Sequence, residues 1–234
     1  MATPTTKAEP KKNRTVLFIV LGVAAAIIVS GIVALLSSGD DPALSVGTVP
    51  ASVDGSTPAA TGDGVVRGEV WPVTIDGTPL PGLPDSGADP VIGTVAPGLS
   101  GFTFDGSPVV VDPSKGPVML VFLAHWCPHC NREAPEIMQW KADGGVPAEL
   151  QVIGVTTAVE PTRDKYPPSS WITDEMQWTY PVLADSEASQ AFTGMGGSGF
   201  PYVVIVGADG TVLDRWSGEI GRDGIQARVD AALA

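Results

Sequence analysis

The sequence predicts an α/β layer fold, a mixed central sheet flanked by helices on both faces, with one transmembrane helix ahead of it. Three observations carry this. Strand-length apolar runs alternate with helix-spaced segments after residue 91, an uncharged run occupies Thr15–Leu36, and the only two cysteines stand at a strand-to-helix junction.

Thr15–Leu36 is 22 residues of mostly Val, Ile, Leu and Ala, and about 20 suffice to cross a bilayer core as a helix. Lys7, Lys11, Lys12 and Arg14 precede it against Glu9 alone, and Asp40 and Asp41 follow. The positive-inside rule then predicts residues 1–14 as a cytoplasmic tail and everything after Leu36 as extracytoplasmic. A cleaved signal peptide has a shorter apolar core of about 7–15 residues, so an uncleaved single-pass anchor in the cell membrane is expected. Residues 37–64, rich in Ser, Gly, Asp, Pro, Thr and Ala, read as a flexible linker. Residues 65–90 form an N-terminal extension, either an added hairpin or an ordered arm, with some strand character at Val65–Val73 and a turn at Ile75–Thr78.

The main domain is expected over 91–234. Phe102–Phe104 and Val109–Val111 flank Asp105-Gly106 as a hairpin. Val118–Ala124 is a continuous apolar run of the buried parallel type. Cys127 to Ala142 has helical spacing, with a kink expected at Pro135. Leu150–Val155 reads as a second buried strand, Ser169–Trp178 as a short helix capped by Ser169 or Ser170, and Asp185-Ser186 as the cap of another. Tyr202–Val206 and Val212–Trp216 flank Gly207–Gly210 as a second hairpin, and Arg222–Leu233 closes the domain as a helix. The Gly194–Gly199 run lacks the Gly-Lys-Ser/Thr of a phosphate loop and reads as a flexible segment. Trp171, Trp178 and Tyr180 read as core aromatics.

Charge excludes some partners. The chain holds 26 acids against 13 bases, a formal net charge of −13, and the part after Leu36 holds 25 of those acids but only 9 of the bases. Such an acidic surface disfavours nucleic acid and anionic headgroups.

Trp126-Cys127-Pro128-His129-Cys130 carries the chemistry. With no third cysteine, neither thiol can staple another part of the chain. A Cys-x-x-Cys pair at a helix start suits thiol–disulfide exchange, because free N–H groups and the helix dipole favour a thiolate at the first position. Cys127 is thus expected to attack or be attacked, and Cys130, one turn in, to resolve the mixed disulfide. Pro128 fits an early helical position, where its missing N–H had no partner. His129 can donate positive charge or a hydrogen bond to the Cys127 sulfur. Trp126 can shield the pair and offer a substrate an apolar surface. No cofactor is expected. A copper- or zinc-binding alternative uses His125, Cys127, His129 and Cys130, but ligands this close in sequence converge poorly on one metal, so no metal site is expected.

These residues resemble a thioredoxin-fold oxidoreductase: the motif, the strand before it, Pro135, and Phe200-Pro201 ahead of Tyr202–Val206. The resemblance implies a thioredoxin-like fold and a cis-proline at Pro201 lying against the active-site sulfurs, with Phe200 beside it. The upstream hairpin, Gly116-Pro117, Glu133 and Asp209-Gly210 look like the membrane-anchored TlpA/ResA-type branch. That likeness implies that Glu133 acts as a base near Cys130, in place of the buried strand Asp of thioredoxin, whose place Val121 takes. A solvent-facing helix Glu is the other reading of that residue. The Pro-His pair is instead that of DsbA-type oxidases. Together these imply an extracytoplasmic exchange of disulfides with protein clients, more in the oxidising direction, served by a membrane redox partner. A reductase for apocytochrome c or another dedicated client is the alternative.

Overall fold

Val118–Leu123 (β4) forms the middle of the sheet, and all six of its side chains are fully buried. Its alternation divides the core: Val118, Leu120 and Phe122 pack on one face of the sheet, Met119, Val121 and Leu123 on the other. A strand buried on both faces must be apolar throughout, which is why this run contains no polar residue.

The computed structural model describes residues 68–234. The expected tail, membrane span and linker, together with 65–67, lie outside the described residues. Among the described residues, no helix is long and apolar enough to cross a membrane.

Among the described residues, eight strands form one mixed sheet in the order β1-β2-β6-β5-β4-β7-β8, with β3 paired to β2 off this path. They are β1 (Thr74–Asp76), β2 (Gly98–Phe102), β3 (Pro108–Val110), β4, β5 (Gln151–Thr156), β6 (Val182–Ala184), β7 (Tyr202–Val206) and β8 (Val212–Ser217). β4 pairs parallel with β5 and antiparallel with β7. The helices are α1 (Pro128–Ala142), α2 (Pro168–Ser170, continued by a π-helical turn over Trp171–Glu175), α3 (Gln190–Gly194) and α4 (Gly221–Leu233). Residues of α1, α2 with its π turn, and α4 pack against one face; those of α3 and the stretch from Leu80 to Leu99 pack against the other. The second hairpin, β4, β5 and the closing helix stand where the sequence places them; the first hairpin turns at Asp105-Gly106 as expected, but its leading strand is Gly98–Phe102 rather than Phe102–Phe104. Trp171 and Trp178 are buried core residues, and Tyr180 packs edge-on to Trp178.

Elsewhere the structure differs. Ile75 and Asp76 are not a turn but part of β1, which pairs with β2 through Ile75↔Leu99; the chain turns at Gly77, with φ +110°. The extension therefore adds a strand to the sheet edge. The serines do not cap the short helix after Pro167: the chain enters it through Pro167, and the Glu69 carboxylate accepts from Ser169 N (2.9 Å) and Ser169 Oγ (2.6 Å). Asp185 does serve α3, but from across a loop. Its carboxylate accepts from Ala191 N (2.8 Å), Phe192 N (3.1 Å) and Thr157 Oγ1 (2.8 Å), while Ser189 takes the cap position. α1 continues through Pro135 to Ala142. The Gly194–Gly199 run is closely packed rather than free. Gly196 has φ +79°, and a Cβ there would collide with Pro81 O and the Arg215 guanidinium. Met195 is buried beneath it and accepts from Tyr202 Oη at 2.8 Å.

Candidate active site

β4 ends at Leu123, and the chain crosses Ala124–Trp126 before α1 starts at Pro128 with Cys127 as its N-cap. Cys127 has extended backbone (φ −78°, ψ 120°), and its sulfur occupies the place a Ser or Asp oxygen takes at other helices. Cys130 N donates to Cys127 Sγ at 3.5 Å. Both thiols are free, and Cys130 is fully buried while Cys127 keeps a sliver of surface. Cys127 is thus the more accessible of the two sulfurs.

The same geometry separates the two acidities. The Cys130 thiol, the N–H groups of Cys130 and His129, and the nearby His129 imidazole lower the Cys127 pKa to about 6 against the opposing effect of burial. Burial, with Cys127 and Glu133 adding to it, drives the Cys130 thiol far above the ordinary range. Pro128 holds the first helical position. His129 is exposed; its Nδ1 lies 2.9 Å from Arg132 Nη2 and 3.3 Å from the Glu219 carboxylate, which Arg132 Nε also reaches at 2.8 Å.

The Phe200–Pro201 bond is cis, and Phe200 O lies 3.9 Å from Cys127 Sγ, so the proline loop does lie against the Cys127 sulfur. Trp126 packs edge-on to Phe200 with ring centroids 5.9 Å apart, and Phe200 stacks on Phe192 at 4.5 Å. Arg163 covers the Trp126 ring 4.5 Å from its centroid. The aromatic surface beside Cys127 is therefore continuous.

Glu133 is not solvent-facing. Only 2% of it is exposed, at the floor of an open groove between α1 and the start of α4. Its carboxylate accepts from Ile220 N (3.2 Å) and Gly221 N (3.0 Å), closing the first turn of α4. Burial raises its pKa despite those donors. A carboxylate whose folded pKa is raised favours the fold below its unfolded value of 4.5 and loses that contribution as pH rises through the folded value. Glu133→Gln, which keeps an acceptor oxygen without a charge, is accordingly expected to match wild type near pH 4 and exceed it in thermal stability at pH 7. Melting curves at the two pH values check this.

His125 is 1% exposed, and burial keeps its pKa below the ordinary imidazole value. Its Nδ1 lies 2.7 Å from Asp164 O and its Nε2 accepts from Glu160 N at 3.3 Å, so neither ring nitrogen is open to a metal. Among the described residues no group of three or more metal-ligating side chains converges. Asn131 escaped sequence reasoning. Its amide nitrogen donates to Cys127 O (2.8 Å) and His125 O (3.1 Å), and its oxygen accepts from Trp171 Nε1 (2.9 Å). The signal was an Asn inside a helix, where it is a poor former unless its amide is used. Arg132 and Glu219 carried no sequence signal.

A thioredoxin-like sheet presenting a Cys-Pro-His-Cys pair at a helix start, opposite a cis-proline, defines a thiol–disulfide oxidoreductase. The chain belongs to the AhpC/TSA family, whose model matches residues 92–215. No curated protein matches it. Solved structures similar to it include MTB dsbF in its mixed oxidized and reduced forms (27% identity, 57% of this chain and 93% of that one, TM-score 0.48). A thioredoxin-family thiol:disulfide interchange protein from Chlorobium tepidum shares 26% identity over 64% of this chain and all of its own, TM-score 0.49. A secreted Mycobacterium tuberculosis disulfide oxidoreductase homologous to E. coli DsbE shares 23%, over 56% and 94%, TM-score 0.47.

Proposed function

We propose that this oxidoreductase is anchored by residues 15–36, holds its catalytic domain outside the cytoplasm and acts mainly as an oxidant of client thiols. The apolar run and the bases ahead of it support the anchor and its orientation. The split in acidity between Cys127 and Cys130 carries the direction.

A thiol of pKa about 8.5 is roughly 3% thiolate at pH 7, and one of about 6 is roughly 90%, about thirtyfold more. Nucleophilicity falls with pKa, with a Brønsted slope of about 0.4–0.5, which removes about tenfold of that gain. The lowered Cys127 pKa therefore adds little to its rate of attack. Its larger effect is on leaving and on equilibrium: a stabilised thiolate departs readily and favours the reduced pair, which makes the disulfide a stronger oxidant.

In the oxidised protein a client thiolate attacks Cys127 Sγ, the Cys127–Cys130 bond breaks, and Cys130 departs as a thiol. The proton comes from Glu133 in this reading, a role supported by its burial and by its influence on the Cys130 thiol. A second client thiolate then attacks the client sulfur of the mixed disulfide and releases the Cys127 thiolate. The client loses two electrons, the pair gains them, and a membrane partner that accepts two electrons restores the disulfide. Trp126, Phe200 and Pro201 hold the client's backbone and apolar side chains next to Cys127.

Equilibration with glutathione tests the direction: a potential well above −200 mV is expected, and one near the −270 mV of thioredoxin would favour the reductase reading for apocytochrome c or a similar client. The pH dependence has a definite sign. A depressed thiol pKa stabilises the reduced fold above the unfolded pKa of about 8.5–9, and that contribution is lost as pH falls toward about 6. The melting temperature of the reduced protein minus that of the oxidised one should thus rise between pH 6 and 8. A periplasmic-type reporter enzyme fused at residue 40, active only outside the cytoplasm, tests the orientation.

A further inference from the structure

Three side chains that flank the cysteines, His125, Trp126 and Asn131, reach one segment, residues 158–171. His125 is fixed by it at both ring nitrogens: Asp164 O only accepts, so Nδ1 carries the proton, and Glu160 N only donates, so Nε2 holds the lone pair. Trp126 Nε1 donates to Ala158 O at 2.8 Å. Asn131 accepts from Trp171 Nε1 at 2.9 Å and passes the connection back, donating to the carbonyls of His125 and Cys127 at 3.1 and 2.8 Å. The motif is thus tied to this segment both before and after Cys127.

We propose that residues 158–171 are a clamp that sets the backbone orientation of Cys127, with His125 and Asn131 as its positioning residues. The physical reason lies in the sulfur's surroundings. Cys127 Sγ is stabilised by N–H groups at the head of α1, and a hydrogen bond to a thiolate depends on where the sulfur stands relative to those donors. The Cys127 carbonyl accepts from Asn131 N (3.1 Å) as well as Asn131 Nδ2, so rotation of this peptide moves the sulfur off its donors and is opposed by two bonds. The neutral imidazole of His125 secures the peptide two residues earlier. Neither side chain touches a reacting sulfur; both act through the Cys127 backbone.

The proposal rests on Cys127 being the exchanging thiol, and one titration separates the two claims. Thiolate absorbance at 240 nm is followed against pH in the reduced full chain. Cys127→Ala should remove the transition near pH 6; if it does not, the assignment of the thiol is at fault rather than the clamp. With that control in place, His125→Ala and Asn131→Ala should each raise the midpoint by about one pH unit or more. His125→Asn, which keeps a donor toward Asp164 O, should bring it back toward wild type. Trp126→Phe, which keeps an aromatic ring and loses only the bond to Ala158 O, should give a smaller rise in the same direction, and it serves as the test if the alanine variants do not fold. A side chain that merely supports the fold lowers the melting temperature without moving this midpoint. Folded variants that titrate like wild type would overturn the clamp.

Discussion

Cys130→Ala is expected to accumulate long-lived mixed disulfides through Cys127, visible as adducts that dissolve in reductant. Cys127→Ala is expected to lose exchange by on the order of a thousandfold or more, since the one thiol left, Cys130, is fully buried and its pKa is driven up. The reason for the trap is structural. The Cys130 sulfur is fully buried one turn below Cys127, and in the proposed mechanism it is the group that displaces a client from Cys127. Removing it has a second effect. The Cys130 thiol is the largest single influence lowering the Cys127 pKa, so in Cys130→Ala the remaining thiol titrates higher than in wild type. Trapping should therefore strengthen as pH is raised from 6 to 8. Cys130→Ser, which keeps a hydroxyl donor, should trap at lower pH than Cys130→Ala. Non-reducing gels of adducts formed across this pH range decide the matter; clean monomers at every pH would remove Cys127 from the exchange.

Asp89→Ala is expected to destabilise the domain by about 3–5 kcal/mol, the usual consequence of leaving a buried charge without its partner. The Arg215 side chain has no exposed surface, and its guanidinium pairs with both carboxylate oxygens of Asp89, with Nη2–Oδ1 at 2.8 Å. Its remaining donors reach Pro81 O at 2.6 Å and Gly82 O at 3.4 Å. Without Asp89 the cation stays in place beneath the extension. For a domain of this size the melting temperature should fall by roughly 10 °C or more. Arg215→Met added to Asp89→Ala should recover most of the loss, because an apolar side chain of similar length removes the stranded charge. The contribution is also acid-sensitive. The hydrogen bond from Arg215 holds the Asp89 pKa below 3.8, so the pair stabilises above that value and is lost as pH falls through the lowered one. Thermal melts of wild type, single and double variants report all three outcomes.

Much of the site was legible because its determinants are local. A six-residue apolar run bounded by Gly-Pro ahead of it fits a doubly buried strand, and the two cysteines after it fit the head of the next helix. Hairpins announced by Asp-Gly and Gly-Ala-Asp-Gly are equally local. The misses share a different cause. Thr74–Asp76 is too short and too polar to signal a strand and is one only because β2 offers its edge. Arg215 and Asp89 are 126 residues apart, and Glu69 reaches Ser169 across 100. Such pairs leave no periodicity to read. The glycine run looked loose because composition reports freedom in the unfolded chain, whereas Gly196 is glycine because neighbouring groups fill the space of a Cβ. Glu133 was readable as a helix residue, but its burial depended on where α4 begins.

The choice of Cys127 as the cap of α1 makes the protein its own probe. The amide proton of Cys130 points at Cys127 Sγ, so its acceptor changes from a charged thiolate to a disulfide sulfur each time the pair turns over. A proton resonance or exchange rate at that single amide should alternate between two values with the redox state. The fraction of the pair that is reduced can then be followed in real time, without a dye, a coupled enzyme or an added thiol reagent.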